Sequence, residues 1–434
     1  MTSATVGNGP LRKAIPFVLA GVGLVLWVEM FNRIIGPELA RQHFFGSVYW
    51  VGPRLVWEGR ATVLLDHAAF AAAAEQMGAG RDLGFLPFAP AAVIPLLPFG
   101  LLPEAAAYFA WTSLGVFALF AAVAIMIVAL RPPPMLALVL VALLPLFQPL
   151  QANFRVGQAY AFVLLALVVH VALSYGAPVR RRLWTAVVSG LAAALIVVLK
   201  TNYGLLILLP ALISRRWRLL GITVAFVVIA VVSTLPLVGW DGWSAWAQSA
   251  LSWRARPETS VTAYQTLHSL FAHLLRQDEK WNPAPVADFP FAADALWYAS
   301  TAVLVGVSAW ALIGMRRSDQ LVTTESKAQL SSARLMLPIA IVVPVASLIS
   351  PIAEDYHYLL DLLPIFVGAT ILWVERPRSW GPWLLFAAAL VLLAPAWPFN
   401  VAQIDGWWAL FFYPRVYGAL LLWLALLALR GTRE

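Results

Sequence analysis

The sequence predicts an all-α fold, a polytopic transmembrane bundle of about 11–13 helices, each crossing needing about 20 apolar residues. Hydrophobic residues make up 62% of the 434 residues and charged residues only 12%. A soluble domain needs about a quarter of its residues charged to cover its surface, which this chain lacks. Mean hydropathy is +0.81. Its long runs are apolar on nearly every face and suit a bilayer interior: 16–29, 108–130, 161–174, 219–237 and 417–429.

The first helix is expected to remain in the protein. Its apolar run follows Arg12 and Lys13 and lacks a clear small-residue cleavage site. Basic clusters such as 180–182 and 215–218 lie in short turns, as the positive-inside rule expects of cytoplasmic loops. That pattern accounts for the net charge of +8 more simply than a nucleic-acid partner, which we do not expect. We therefore predict a multi-pass plasma-membrane protein, surrounded by membrane lipids, with a cytoplasmic N-terminus and an outward active face.

Residues 1–434 are expected to form a single integral membrane domain. Two long connections, 36–84 and 239–290, are predicted to be outer loops because they are poor in basic clusters, and the first should carry surface helices. Residues 317–334 are predicted to be a polar cytoplasmic loop. One of the short apolar pieces, 88–102 or 135–150, is expected to be a partial or re-entrant helix.

The first outer loop contains aromatic and acidic residues at points that a lipid-facing helix would not choose. Tyr49 and Trp50 open a helix-like stretch, and Asp66 is well placed to cap the helix that follows it. An amphipathic helix on the membrane surface followed by a capped helix is the simplest interpretation.

Two polar breaks further along contain cations. In "NFRVGQAY", residues 153–160, Arg155 has the chemistry to meet a phosphate and Gln158 to bond a sugar, although an ordinary turn explains the break equally well. In "VVLKTNYGLL", Lys200 lies, by topology, on the outer side, against the positive-inside trend. Pairing with an anionic headgroup or snorkelling to the interface would each explain that lysine.

The stretches 252–275 and 350–366 contain the remaining candidates. Arg254 lies in a proline-broken basic loop that could hold phosphate or sit among lipid headgroups. "SPIAEDYHYLLDLLPIF" places Glu354, Asp355 and His357 between two apolar runs, where ionisable groups are costly and often functional. His357 is expected to bind phosphate as an imidazolium or to orient a hydroxyl. Asp355 is expected to act together with His357 or simply to cap the helix.

Motifs of soluble enzymes do not occur in the sequence. There is no P-loop, no G-x-G-x-x-G at a strand–helix junction, no H-E-x-x-H and no zinc-spaced Cys/His set. Paired inverted halves with broken helices, typical of secondary transporters, do not stand out either.

Taken in order, several stretches resemble the polytopic glycosyltransferases of the GT-C class, in particular glycosyltransferase family 87. They are "SVYWVGPRLVWEGRATVLLD", "FLPFAPAAVIPLLPFGLLPEAAAYFAW", "NFRVGQAY", "GLAAALIVVLKTNYGLLILLPALISRRWR", "AYQTLHSLFAHLL" and "SPIAEDYHYLLDLLP". The resemblance covers most of residues 40–375. It implies a GT-C-like bundle with a long outer loop after the first helix. It also implies transfer of a sugar, with mannose first, from a polyprenyl-phosphate donor to a lipid or glycan acceptor, with inversion.

The resemblance further implies roles for particular residues. An acidic residue of the first outer loop should deprotonate the acceptor, but Phe45 stands at the position where the family usually has that Asp. Glu38, Glu29 or Asp66 would have to supply the carboxylate instead. The catalytic candidates are therefore Glu38, Asp66 and Asp355, and the phosphate-binding candidates are Lys200, His357, Arg155 and Arg254. The residues expected to line the substrate are Tyr49, Trp50, Gln158, Tyr264, Gln265, Glu354 and Tyr358.

No cofactor and no metal ligands are assigned, and a divalent metal stays open. Two alternatives remain beside the transferase: a transporter or flippase of a lipid-linked solute, and a non-catalytic homologue acting as a membrane scaffold. A transferase predicts a polar cleft that reaches His357 from one face, and a transporter predicts a path through to the other. The scaffold gains if Glu38, Glu29 and Asp66 all point away from the cleft.

Overall fold

The computed structural model describes residues 10–40, 44–79, 85, 88–175, 183–321, 332–397, 404 and 406–431. Within these ranges the chain forms helices and no strand, with one isolated bridge between Asp278 and Asn282. The predicted all-α bundle is confirmed. The α-helices are Pro10–Met30, Gly36–Ala40, Phe44–Trp57, His67–Gln76, Leu97–Gly100, Glu104–Leu130, Pro134–Leu143, Gln148–Arg155, Tyr160–Tyr175, Leu183–Leu199, Thr201–Ile207, Leu209–Ile213, Trp217–Ser252, Leu267–Leu275, Pro290–Leu321, Ser332–Ile349, Leu362–Glu375, Gly381–Leu393 and Pro414–Arg430.

Tighter or wider helical turns connect several of these helices. A π-helical turn spans Phe31–Ile35. The 3₁₀ segments are Ala61–Leu65, Pro90–Leu96, Leu144–Leu146, Trp253–Ala255, Pro257–Ser260, Asp355–Asp361 and Gly406–Phe412.

Only some of the described helices are long enough to cross a membrane. Six are long and apolar enough, or up to eight if each of two bent pairs forms one span. Five shorter apolar helices of 10–17 residues accompany them, and the expected 11–13 crossings are reached only when these are included. The expectation of a partial helix is met in both candidate pieces: Pro90–Gly100 is short, and the pair Pro134–Leu146 and Gln148–Arg155 bends by 49°.

Arginines from distant parts of the chain meet at one end of the bundle. Arg316 donates to the carbonyl of Ile213 at 2.8 Å, and Arg430 stacks on Trp310, in the same helix as Arg316. Arg334 donates to the carbonyl of the residue before Arg430. This arginine end comprises Arg216, Arg316, Arg334 and Arg430. The gathering agrees with the clusters that predict the cytoplasmic side, and the side itself stays a prediction.

The candidate site lies at the other end of the helices. Leu183–Leu199 packs against Thr201–Ile207, so the chain reverses direction at Lys200 before it returns toward the arginine end. Gly204 makes that close return possible. A Cβ built on Gly204 would lie 2.3 Å from the Cα of Val197, closer than any real side-chain contact.

Exchanging Gly204 for alanine should therefore destabilise the protein, by about 1–3 kcal/mol, because overpacking a fitted contact forces backbone shifts. The variant Gly221→Ala is the matched control. It lies in helix Trp217–Ser252, where an added Cβ meets nothing within 4 Å, and alanine is the better helix former there. Thermal unfolding in detergent should show a lower midpoint for the first variant and an unchanged or higher one for the second. Equal shifts would contradict this account of the reversal.

Three predicted loops differ in detail from the structure. Helix Phe44–Trp57 packs one face on the bundle, with Val51 and Leu55 fully buried, while Trp57 is exposed, and its place at the membrane surface stays a prediction. Helix Trp217–Ser252 runs through the start of the second outer loop and kinks at Gly239, whose φ of 67° is readily adopted only by glycine. The polar loop 317–334 overlaps the ends of two helices, and its middle, 322–331, lies outside the described residues.

Candidate functional site

Lys200 lies in the break between two helices, with its ammonium against aromatic rings. Its Nζ is 4.8 Å from the ring centroid of Phe88 and 4.7 Å from that of Tyr160. Cation–π contact of this kind stabilises an ammonium without neutralising it. Among the described residues the ammonium has no carboxylate within ion-pairing distance and no hydrogen-bond acceptor. An ammonium that lies against aromatic rings and has no ionic partner is suited to bind an anionic ligand.

His357 packs against the same tyrosine as Lys200. Its ring centroid is 4.6 Å from that of Tyr160. The backbone N–H of Glu354 donates to His357 Nδ1 at 3.0 Å. Because Nδ1 accepts, the ring is the neutral tautomer with its proton on Nε2. The expected imidazolium is therefore corrected to a neutral N–H donor, and that Nε2–H has no acceptor within the described ranges.

Tyr160 contacts both Lys200 and His357, and it was not selected as a site residue from the sequence. It is fully buried, and its hydroxyl has no hydrogen-bond partner in the part of the chain that the structure describes. A buried hydroxyl left without a partner costs about 1–3 kcal/mol, so it indicates a place where a ligand can bond. Asn153 Oδ1 accepts from the Tyr160 backbone N–H at 3.0 Å and so sets the start of this helix. The position of Tyr160 at the end of the polar break 153–160 was the feature of the sequence that could have identified it as a site residue.

Glu354 supplies a carboxylate to the same region. It is half-buried, and its Oε1 accepts from the hydroxyl of Tyr356 at 2.8 Å. Burial raises the pKa of the Glu354 carboxyl above its usual value, and the Tyr356 bond and the Lys200 ammonium oppose that rise. Tyr264 belongs to the same surroundings, because burial, with Glu354 adding, raises its pKa to about 12.

Asp355, expected to be catalytic, is engaged elsewhere. Its carboxylate pairs with the guanidinium of Arg415, which is fully buried. Arg415 also donates to the carbonyls of Leu392 at 2.9 Å and Pro395 at 2.8 Å. These contacts indicate that the pair joins segments of the fold, and Arg415 had no signal in the sequence beyond an arginine at the start of an apolar run.

Gln265 and Tyr358 hold the segment around Glu354 in place. The Gln265 backbone N–H donates to the carbonyl of Ala353 at 2.7 Å, and Tyr358 donates to the Gln265 carbonyl. Gln265 Nε2 reaches the carbonyl of Phe412 at 2.8 Å. With these groups bonded to protein, both residues support the site more readily than they line a substrate, the role predicted for them.

The first loop reaches the site through aromatic side chains. Tyr49 donates to Gln158 Oε1 at 2.8 Å, and its ring centroid is 5.5 Å from that of Phe88, the ring beneath Lys200. Trp50 donates instead to the carbonyl of Leu102 at 3.1 Å. Tyr49 and Gln158 are thus connected to Lys200, and their substrate contacts stay a prediction.

The other expected carboxylates have different surroundings. Asp66 accepts from the Ala69 N–H at 3.0 Å, so the predicted helix cap is confirmed. Glu29 pairs with an exposed arginine one turn along its helix. Glu38 is buried against helix Glu104–Leu130, where Thr112 donates to its carbonyl at 3.4 Å. In the described ranges neither Glu29 nor Asp66 contacts Lys200 or His357, and the side chain of Phe45 lies outside those ranges.

The two predicted phosphate-binding arginines differ from Lys200. Arg155 is exposed at the end of helix Gln148–Arg155, which packs against the segment Asp355–Asp361. Arg254 is exposed, with its guanidinium 5.7 Å from the ring centroid of Tyr298. The structure places Arg155 near the site and shows no contact that brings Arg254 to it. In the described ranges no group of three or more His, Asp or Glu side chains is arranged to hold a metal ion.

The fold and the site define an integral membrane protein whose helices bring cationic and hydrogen-bond-donating groups together at one end. A family model for glycosyltransferase family 87 matches residues 85–338, more than half of the chain. This chain therefore belongs to glycosyltransferase family 87 and is a membrane glycosyltransferase, as the resemblance implied. The match includes Tyr160 and Lys200 and ends before Glu354 and His357. No curated protein and no solved structure matches the chain.

Proposed function

We propose that this glycosyltransferase moves a sugar, mannose first, from a polyprenyl-phosphate donor to a lipid or glycan acceptor, with inversion at the anomeric carbon. The reaction takes place at the outer face of the plasma membrane. Positive-inside bias supports that orientation, because it assigns the arginine end to the cytoplasm and the end with Lys200 to the outside.

Three hydrogen-bond-donating groups without a partner support the assignment of a polyprenyl-phosphate sugar as the substrate. Lys200 Nζ, His357 Nε2–H and the Tyr160 hydroxyl all lie around the Tyr160 ring, and none bonds to another described residue. When the sugar–phosphate bond breaks, negative charge grows on the leaving phosphate. Preorganised donors in a site shielded from water stabilise that charge more than they stabilise the ground state, which lowers the barrier.

The neutral tautomer of His357 fits this role. A neutral N–H donor next to Lys200 bonds a phosphate oxygen without adding a second buried cation, whose desolvation would be costly. Keeping Nδ1 on the Glu354 backbone holds the ring with Nε2 turned to the ligand. The donor's polyprenyl tail remains in the bilayer around the bundle.

The purified protein in liposomes, given a panel of polyprenyl-phosphate sugars with lipid and glycan acceptors, tests the proposal. We expect release of polyprenyl phosphate matched by labelled glycoside, fastest with the mannosyl donor and absent with nucleotide sugars. Proton NMR of the product checks inversion. Carrier lipid that appears intact in the opposite leaflet would favour the transporter, and neither binding nor turnover of any donor would favour the scaffold.

A further inference from the structure

The proposed reaction needs a base for the acceptor hydroxyl, and most of the described carboxylates near the site are already engaged. Asp66 caps a helix and Asp355 pairs with Arg415. Asp361 is fully buried and, unlike Glu354, does not act electrostatically on Lys200. The carboxylate that remains beside Lys200 is Glu354.

Glu354 has the geometry that a base requires. Tyr356 donates to one carboxylate oxygen, Oε1, at 2.8 Å, and the side chain forms a capping box with the His357 backbone, so the carboxylate is held in a fixed orientation. The residue as a whole is half-buried, so this turn is not sealed inside the bundle. Contacts connect Glu354 to the groups assigned to the phosphate, because its backbone N–H bonds His357, whose ring packs on Tyr160, the ring beneath Lys200.

Glu354 is also mechanically tied to the donor side of the site. Its backbone N–H bonds His357 Nδ1, so one turn of the chain holds the carboxylate and the imidazole in a set relation. Gln265 fixes the residue before it through the carbonyl of Ala353. A base and a phosphate-binding group held by one rigid turn keep the acceptor and the leaving group oriented toward one carbon.

We propose that Glu354 is the general base of the transfer reaction, a proposal that rests on the proposed function. The carboxylate takes the proton of the acceptor hydroxyl as that oxygen forms a bond to the anomeric carbon. The bond from this carbon to the phosphate oxygen breaks, and its electron pair leaves with the phosphate. The products are the new glycoside, polyprenyl phosphate and a protonated Glu354, which then releases its proton to water.

The environment suits this task. Burial raises the pKa of the Glu354 carboxyl toward the working pH, where a general base combines a large deprotonated fraction with a useful basicity. Since only the carboxylate form accepts the proton, activity should fall as pH drops through this raised pKa. The acidic limb of the profile should therefore lie at higher pH than an ordinary glutamate would give.

The test compares Glu354→Gln and Glu354→Asp with the control Glu258→Gln, which changes a glutamate paired with Arg256 elsewhere on this side. The glutamine variant should lose about 10²–10⁴-fold in kcat, the usual contribution of a general base. Its KM for the polyprenyl-phosphate sugar should change little, because the groups assigned to its phosphate, Lys200, His357 and Tyr160, remain. The aspartate variant should recover part of the rate, and the control should match the unmodified protein.

The pH profile provides the readout that a structural role would not change. The acidic limb should be present in the unmodified protein and absent in the residual activity of Glu354→Gln. A glutamine variant with near-normal kcat, or with the limb intact, would overturn the assignment while leaving the transferase in place. If the unmodified protein turns over no polyprenyl-phosphate sugar, the proposed function fails and this assignment fails with it.

Discussion

Replacing Lys200 by methionine is expected to lower the rate of sugar transfer by at least about 10²–10³-fold, because a charged group facing the leaving phosphate disappears. Methionine keeps an unbranched stem against the rings of Phe88 and Tyr160. Stability should hold or rise, because the change removes a shielded cation that has no carboxylate partner in the described structure. Steady-state kinetics and thermal unfolding of the same preparation measure both effects.

The matched control is Lys280→Met. Lys280 is an exposed lysine whose ammonium lies 4.6 Å from the ring centroid of Trp281, so it shares the cation–π contact and not the site. It should transfer sugar at the normal rate. His357→Ala should lose transfer as severely as the Lys200 variant, and it should also lower stability, because it removes the Nδ1 bond and leaves a cavity between the rings of Tyr160 and Tyr356. Normal turnover in both site variants would reject the phosphate site.

Changing Arg415 to methionine is expected to be the most destabilising single substitution considered, by about 3–5 kcal/mol, because it leaves a buried partner charge without its counter-ion. The pair with Asp355 and the bonds to two carbonyls join three segments of the chain. Unfolding by heat or denaturant in detergent should show a midpoint well below that of the unmodified protein.

Two further variants separate this cost from a general effect of losing an arginine. The double change Arg415→Met with Asp355→Asn should recover much of the lost stability, since no unpaired carboxylate remains. Arg54→Met removes an exposed pair with Glu58, where N and O are 3.1 Å apart, and should cost no more than about 1 kcal/mol. If Arg415→Met and Arg54→Met unfold alike, the Arg415 pair does not stabilise the fold as described.

Much of the architecture was predictable because hydrophobicity acts locally. A run of apolar residues indicates a membrane helix whatever it packs against, and arginine clusters indicate the helix ends at one side. The same reasoning selected Lys200 and His357 as candidates, since an ionisable group among apolar residues is costly enough to need a reason. Asp66 was predictable as a cap because a cap is a contact between residues three positions apart.

The features that the sequence did not reveal depend on contacts between distant residues. Asp355 was expected to be catalytic, and its partner Arg415 is 60 positions away. Tyr160 was part of a recognised break, yet its unpartnered hydroxyl is visible only once the neighbours of that hydroxyl are known. The tautomer of His357 follows from one backbone bond that no residue pattern predicts.

Composition and periodicity were thus sufficient for the class of protein and the helices, because each rests on free energies that a segment carries on its own, whereas the family came from the resemblance of motifs in order. Which carboxylate is paired, which donors are left open and which groups meet at the Tyr160 ring emerged with the packed bundle. A hydrogen bond or ion pair depends on distances of a few ångströms between residues remote in the chain, and packing sets those distances.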